Sequence, residues 1–176
     1  MRGGSCPDPA TAHGGHERGA TRDAKELDVA MAITVVVHAA ATLFLTGMIW
    51  TIQVVHYPLF AAVGEPSFAA YEAAHSARIT WVIAVPWVLQ GLTTLALLIA
   101  PPVGVPRWLI WAATVLAAIP VLVTIAYSIP AHTVLGEGFD LVAHGRLVAT
   151  NWLRTGAWTA HGAVAMAILV LALRRG

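Results

Sequence analysis

The chain has 176 residues, of which 58% are hydrophobic and only 11% charged, where soluble domains carry about 25% charged residues. A net charge of +1 offers no concentrated basic patch for phosphates, so nucleic acid is not an expected partner. The single cysteine, Cys6, excludes an internal disulfide and any multi-cysteine zinc site. This is the composition of an integral membrane protein. Its most informative imbalance is eight histidines against one lysine.

Residues 1–26 are polar and rich in Gly, Arg and Ala. They contain no apolar core, so they are not read as a cleavable signal peptide. A disordered cytoplasmic tail is expected there, ahead of a membrane domain at 27–176. His13 and His16 lie in the tail as H-G-G-H, where flexible glycines preorganise no site.

A bilayer core of about 30 Å needs about 20 apolar helical residues. Four segments qualify, at about 29–55, 79–100, 108–129 and 152–173. Pro58 and Pro130 disfavour helix at Tyr57 and Ile129. Pro101 and Pro102 close the second span, and Pro86 and Pro120 predict kinks inside spans. Seven basic residues (Arg2, Arg18, Arg22, Lys25, Arg107, Arg174, Arg175) fall on one side and three (Arg78, Arg146, Arg154) on the other. The positive-inside rule then places both termini in the cytoplasm, in a bacterial plasma membrane. The expected fold is all-α, an integral membrane four-helix bundle with two short outer-face helices and no convincing internal repeat.

The outer end carries the chemistry. In the stretch QVVHYPLF at 53–60, Gln53 and His56 share one helical face. A polar side chain at that depth tends to face the bundle interior, whereas Trp50 and Tyr57 suit an aromatic belt. The stretch PSFAAYEAAHSARI at 66–79 reads as a short amphipathic helix over the mouth. Its Glu72 and His75 form Glu-x-x-His, with both side chains on one face. Di-metal helix bundles use that pair, but they need a second copy and two further carboxylates, which this chain lacks. A single metal or an imidazole-rich copper site remains open, as does a solvated Glu–His pair. The stretch at 128–158 adds His132, a second short helix with His144 and Arg146, and then Asn151 and Arg154 at the start of the fourth span. Arg154 is costly near lipid unless it is paired or snorkels to the interface, and Asn151 could cap the fourth span. Within the spans, His38 and His161 are expected about 25 Å and about 14 Å below the outer ends of their helices at 1.5 Å per residue. That mismatch argues against a shared haem and for interhelical hydrogen bonds.

I-P-x-H-x-x-L at 129–135 followed by N-W-L-R-T at 151–155 resembles the carboxyl-terminal half of the anthrone oxygenase-like family, small four-helix membrane proteins. Its members carry I-P-x-N-x-x-L after the third span and W-x-x-x-N-x-x-R-T entering the fourth. Here His132 stands where that first asparagine would be and Leu147 where the tryptophan would be. Asn151, Arg154 and Thr155 match. GMIWTIQVVHYPLF with the later Glu-x-x-His resembles a histidine-richer subgroup. The resemblance implies oxidation of polyketide-type aromatics by dioxygen, usually without an obvious cofactor.

The leading expectation is a membrane oxidoreductase of the metal-dependent monooxygenase kind, acting on a lipophilic small molecule drawn from membrane lipid. His56, Glu72, His75, His132 and His144 would be the metal ligands. Copper is favoured over iron or zinc, because dioxygen chemistry outside the cytoplasm needs a redox metal. Asn151 and Arg154 would orient substrate and stabilise developing negative charge. The alternatives are a non-catalytic membrane subunit and a binding or transport module, with a homo-oligomer possible in any case.

Overall fold

The computed structural model describes the backbone of residues 9–174 and the side chains of residues 25–174. The H-G-G-H pair and most of the expected tail at 1–26 lie outside the described side chains. Helices α1 (Pro9–Thr51), α2 (Tyr57–Leu59), α3 (Glu65–Ile99), α4 (Arg107–Val123), α5 (Ile129–Leu135) and α6 (Leu141–Leu173) are joined by short turns, with no strand among the described residues. They form four apolar spans: Lys25–Ala62, Glu65–Ile99, Arg107–Leu135 and Leu141–Leu173. The protein is therefore an all-α four-helix bundle and an integral membrane protein. Each span packs on its sequence neighbours, and the fourth closes the ring against the first.

Two expectations change. The prolines at the His-rich end do not stop their helices. A single π turn, Ile52–His56, precedes Tyr57 and Pro58, and another, Thr124–Ser128, precedes Ile129 and Pro130. A proline ring clashes with the carbonyl four residues back and supplies no N–H. The wider turn moves that carbonyl aside. The Tyr57 N–H instead reaches the Ile52 carbonyl, and the Ile129 N–H reaches Thr124. Both halves of the chain thus use the same device at the same spacing.

The two short helices expected over the mouth are also absent as separate pieces. Residues 66–79 form the first turns of α3, and residues 141–151 form the first turns of α6. Asp140 caps α6, accepting the Ala143 N–H at 2.6 Å, so Asn151 lies inside the helix and caps nothing. At the opposite end the hairpin 100–106 turns on Gly104, at φ 80. That left-handed conformation costs glycine nothing.

The interior is layered. At the His-rich end Leu45, Ile49, Phe60, Phe68, Leu147 and Trp158 pack together. Near the termini Val35, Leu97, Leu109, Ile110 and Ile168 form a second apolar cluster. Between them lies a buried polar layer of His38, Thr42, Gln90, Thr93 and His161. The outward faces are apolar, with Trp81, Leu92, Val115 and Leu122 among the exposed side chains. Lipid is as apolar as leucine, so polar contacts and close packing hold such helices together. Gly162 provides one close approach. A Cβ there would lie 3.3 Å from the Thr46 hydroxyl, which itself donates to the Trp158 carbonyl at 2.9 Å.

The polar layer corrects the depth argument for the histidine pair. His38 and His161 meet with Nε2 atoms 3.3 Å apart. The fourth helix begins at Leu141 rather than near 152, which lowers His161 by about 16 Å at 1.5 Å per residue. Hydrogen-bond direction assigns the tautomers. The Gln90 amide donates to His161 Nδ1 at 3.3 Å and to Thr42 at 3.0 Å. His161 Nε2–H then donates to His38 Nε2, and His38 Nδ1–H donates to Thr93 Oγ1 at 3.1 Å. Trp158 Nε1–H donates to Gln90 Oε1 at 3.2 Å. The two histidines, expected at different depths, are joined by a hydrogen bond between spans one and four.

Candidate active site

All four spans meet around Tyr57. Burial and the π turn bring its side chain inward, where it is 3% exposed, so Tyr57 is not a belt residue. Its hydroxyl lies 3.1 Å from His132 Nε2. His132 Nδ1 lies 2.6 Å from Glu72 Oε1. A carboxylate can only accept, so His132 Nδ1–H donates to Glu72, and His132 Nε2 accepts from the Tyr57 hydroxyl. The result is a hydroxyl–imidazole–carboxylate relay with Tyr57 from span one, Glu72 from span two and His132 from span three. Ser76 Oγ–H adds a 3.0 Å bond to the same carboxylate oxygen, which fixes its rotamer. In such an arrangement the outer group orients the imidazole, and the imidazole serves as base for the hydroxyl.

His56 and His75 lie beside the relay, with His56 Nε2 2.7 Å from His75 Nδ1. The His75 and His132 ring centroids are 5.5 Å apart. His144 does not join the cluster. Its Nε2 donates to the Tyr57 carbonyl at 2.8 Å, and its ring stacks on Phe60. It positions the tyrosine from behind. Among the described residues no group of three or more His, Cys, Asp or Glu side chains is placed to hold a metal ion. Of the five expected ligands, Glu72 and His132 form the relay, His56 and His75 form a pair beside it, and His144 bonds the Tyr57 carbonyl. Two buried atoms in the cluster, Glu72 Oε2 and His75 Nε2, have no partner.

Asn151 and Arg154 lie on the same α6 face but do different work. The Asn151 amide donates to Gln53 Oε1 at 2.8 Å, and Gln53 Nε2 donates to the Val148 carbonyl at 3.2 Å. That pair is a clasp between spans one and four. Arg154 does not snorkel. It is 4% exposed, its NH1 reaches Ser128 Oγ at 3.3 Å, and its guanidinium lies 5.4 Å from the Trp158 ring centroid. Its Nε is buried without a partner, and among the described residues no carboxylate pairs with it. A buried arginine without a counter-charge is unfavourable unless an anion completes the site.

Arg154, Tyr57, Ser128 and His132 line one cavity of about 360 Å³. Ile52, Ile79, Ile83 and Ile129 form its apolar walls, and Thr124, whose hydroxyl is also unpartnered, lies at its inner edge. The cavity follows the seam between spans two and three, the neighbouring pair that packs least closely. The expected site residues Glu72 and His132 thus meet in the relay, and Arg154 joins them across the cavity. His56 and His75 flank the relay, while Asn151 and His144 support it. Tyr57 and Ser128 were missed. The signal for both is positional, because Tyr57 follows one proline-linked π turn and Ser128 ends the other, and such turns recur at functional sites. No family model matches the chain, and no curated protein or solved structure matches it either.

Proposed function

We propose that the protein is a membrane oxidoreductase of the oxygenase kind, acting on a lipophilic substrate at the His-rich end of the bundle. One observation carries the proposal: Tyr57 and His132 of the relay share a single cavity, on a seam between spans, with Arg154, which no carboxylate among the described residues neutralises. The resemblance noted above supports it, because residues from both of its segments, Ile129 and His132 from one and Arg154 from the other, line that cavity. The basic-residue balance supports cytoplasmic termini, which puts the site at the outer face.

The chemistry follows from the groups. Tyr57 takes a proton from an acidic C–H of the substrate while passing its own to His132 Nε2, and Glu72 holds the imidazolium that forms. Arg154 stabilises the substrate anion in a site of low polarity. Dioxygen is the oxidant, and R2CH2 + O2 giving R2C=O + H2O balances without a further reductant. Oxygen uptake by purified protein in nanodiscs, with a panel of lipophilic phenolic aromatics that includes an anthrone, tests the reading. Uptake that falls in Tyr57→Phe is expected. No uptake across the panel, or uptake indifferent to Tyr57→Phe, refutes it.

A second reading places a redox metal, copper before iron or zinc, on His56, His75, His132 and Glu72. The unpartnered Glu72 Oε2 and His75 Nε2 favour it. It requires the two close imidazoles to part. Stoichiometric copper in tag-free protein, lost in His56→Ala and His75→Ala, would establish it.

A further inference from the structure

The cavity at Arg154 does not stand alone on its seam. A second cavity of about 360 Å³ lies deeper between the same two spans. On span two the first is lined by Ser76, Thr80 and Ile83, and the second by Trp87, Gly91, Thr94 and Leu98. These positions recur at three- and four-residue spacing, so they form one stripe along α3. Span three matches it with Thr114, Ala118, Val121 and then Thr124. From Ile83 to Leu98 the stripe runs about 22 Å at 1.5 Å per residue. Small residues keep it open: a Cβ added at Gly91 meets nothing within 4 Å.

The two ends of this groove differ in kind. The deep part is mainly apolar, its polar lining limited to Gln90, Thr94 and Thr114. The upper part ends on a buried guanidinium with an unsatisfied Nε, beside an unsatisfied Thr124 hydroxyl. A polar lining that lacks a counter-charge, in line along the seam with a mainly apolar slot, is complementary to one class of molecule. We infer that the seam between spans two and three binds a single-chain amphiphile with an acidic head, its head on Arg154 and its tail along the Gly91–Ala118 slot. The inference rests on the cavity of the proposed reaction and goes beyond it, to a lipid ligand held at the same guanidinium. The acidic head is placed against Tyr57 and His132, and the tail enters sideways from lipid.

Native mass spectrometry and equilibrium binding on the full chain in nanodiscs, with palmitate, methyl palmitate and octanoate as probes, test this. Palmitate is expected to bind at one molecule per chain. The ester should bind about ten- to hundredfold more weakly, since it loses a charge-assisted bond to a buried cation. Arg154→Gln should abolish the preference for acid over ester. Gly91→Phe, which fills the slot far from Arg154, should weaken palmitate but not octanoate. Equal binding of acid and ester by the unaltered protein would mean bulk-lipid contact only and would overturn the inference. Acid preference without dependence on chain length would overturn the tail assignment. Palmitate binding without oxygen uptake by any substrate would remove the oxidase reading and leave the seam intact. Oxygen uptake without palmitate binding would do the reverse.

Discussion

Gln90→Leu is the sharpest test of how the bundle is held together. The Gln90 side chain is 1% exposed and ties span two to spans one and four. It donates to Thr42 at 3.0 Å and to His161 at 3.3 Å, and it accepts from Trp158 at 3.2 Å. Interhelical hydrogen bonds in a membrane average about 0.6 kcal/mol, so three sum to about 2 kcal/mol. Leucine keeps the apolar bulk, so the loss reports the bonds rather than a cavity. About 2 kcal/mol is a change of about thirtyfold in the folded-to-unfolded ratio. Reversible unfolding in mixed detergent micelles measures it. Trp158→Phe removes one donor, and the double variant with Gln90→Leu should show a coupling of about 0.6 kcal/mol or more. Leu92→Ala, at an exposed lipid-facing position, is the control and should change little. A Gln90→Leu loss under about 0.5 kcal/mol, or strict additivity with Trp158→Phe, would refute the idea that this layer binds the helices together.

Three further outcomes are expected. Glu72→Gln keeps the shape but removes the charge that orients His132, and should lower kcat/KM for oxygen uptake by about a hundredfold or more; an unchanged pH–rate profile alongside unchanged kcat/KM would remove Glu72 from the relay. Gly162→Leu should part spans one and four against Thr46 and Leu43 and cost about 1–3 kcal/mol in the same unfolding assay, whereas Gly156→Ala, with nothing within 4 Å of the added Cβ, should be neutral or stabilising. Reporter fusions after residue 176 and within the turn at 136–140 should report cytoplasmic and external positions respectively, and the reverse pattern would turn the site toward the cytoplasm.

Much of this protein is legible from the chain alone. The length and apolarity of four segments determine four spans, because nothing shorter or more polar satisfies a bilayer. The concentration of His56, Glu72, His75, His132 and Arg154 at one end follows from sequence order, since each hairpin returns the chain to the same side. Tertiary structure decided the rest. Pro58 and Pro130 read locally as helix ends, but a π turn before each lets the helix continue, and that backbone choice turns Tyr57 inward. The Asp140 cap moves the start of α6 by about three turns, which sets the depth of His161 and so its meeting with His38. Whether a polar group snorkels, pairs or waits for a ligand depends on what stands opposite, and for Arg154 that is Ser128 and Trp158 rather than water. Spacing along one helix specifies a face. Only the register between helices, set by side chains dozens of residues apart, specifies which partner that face finds.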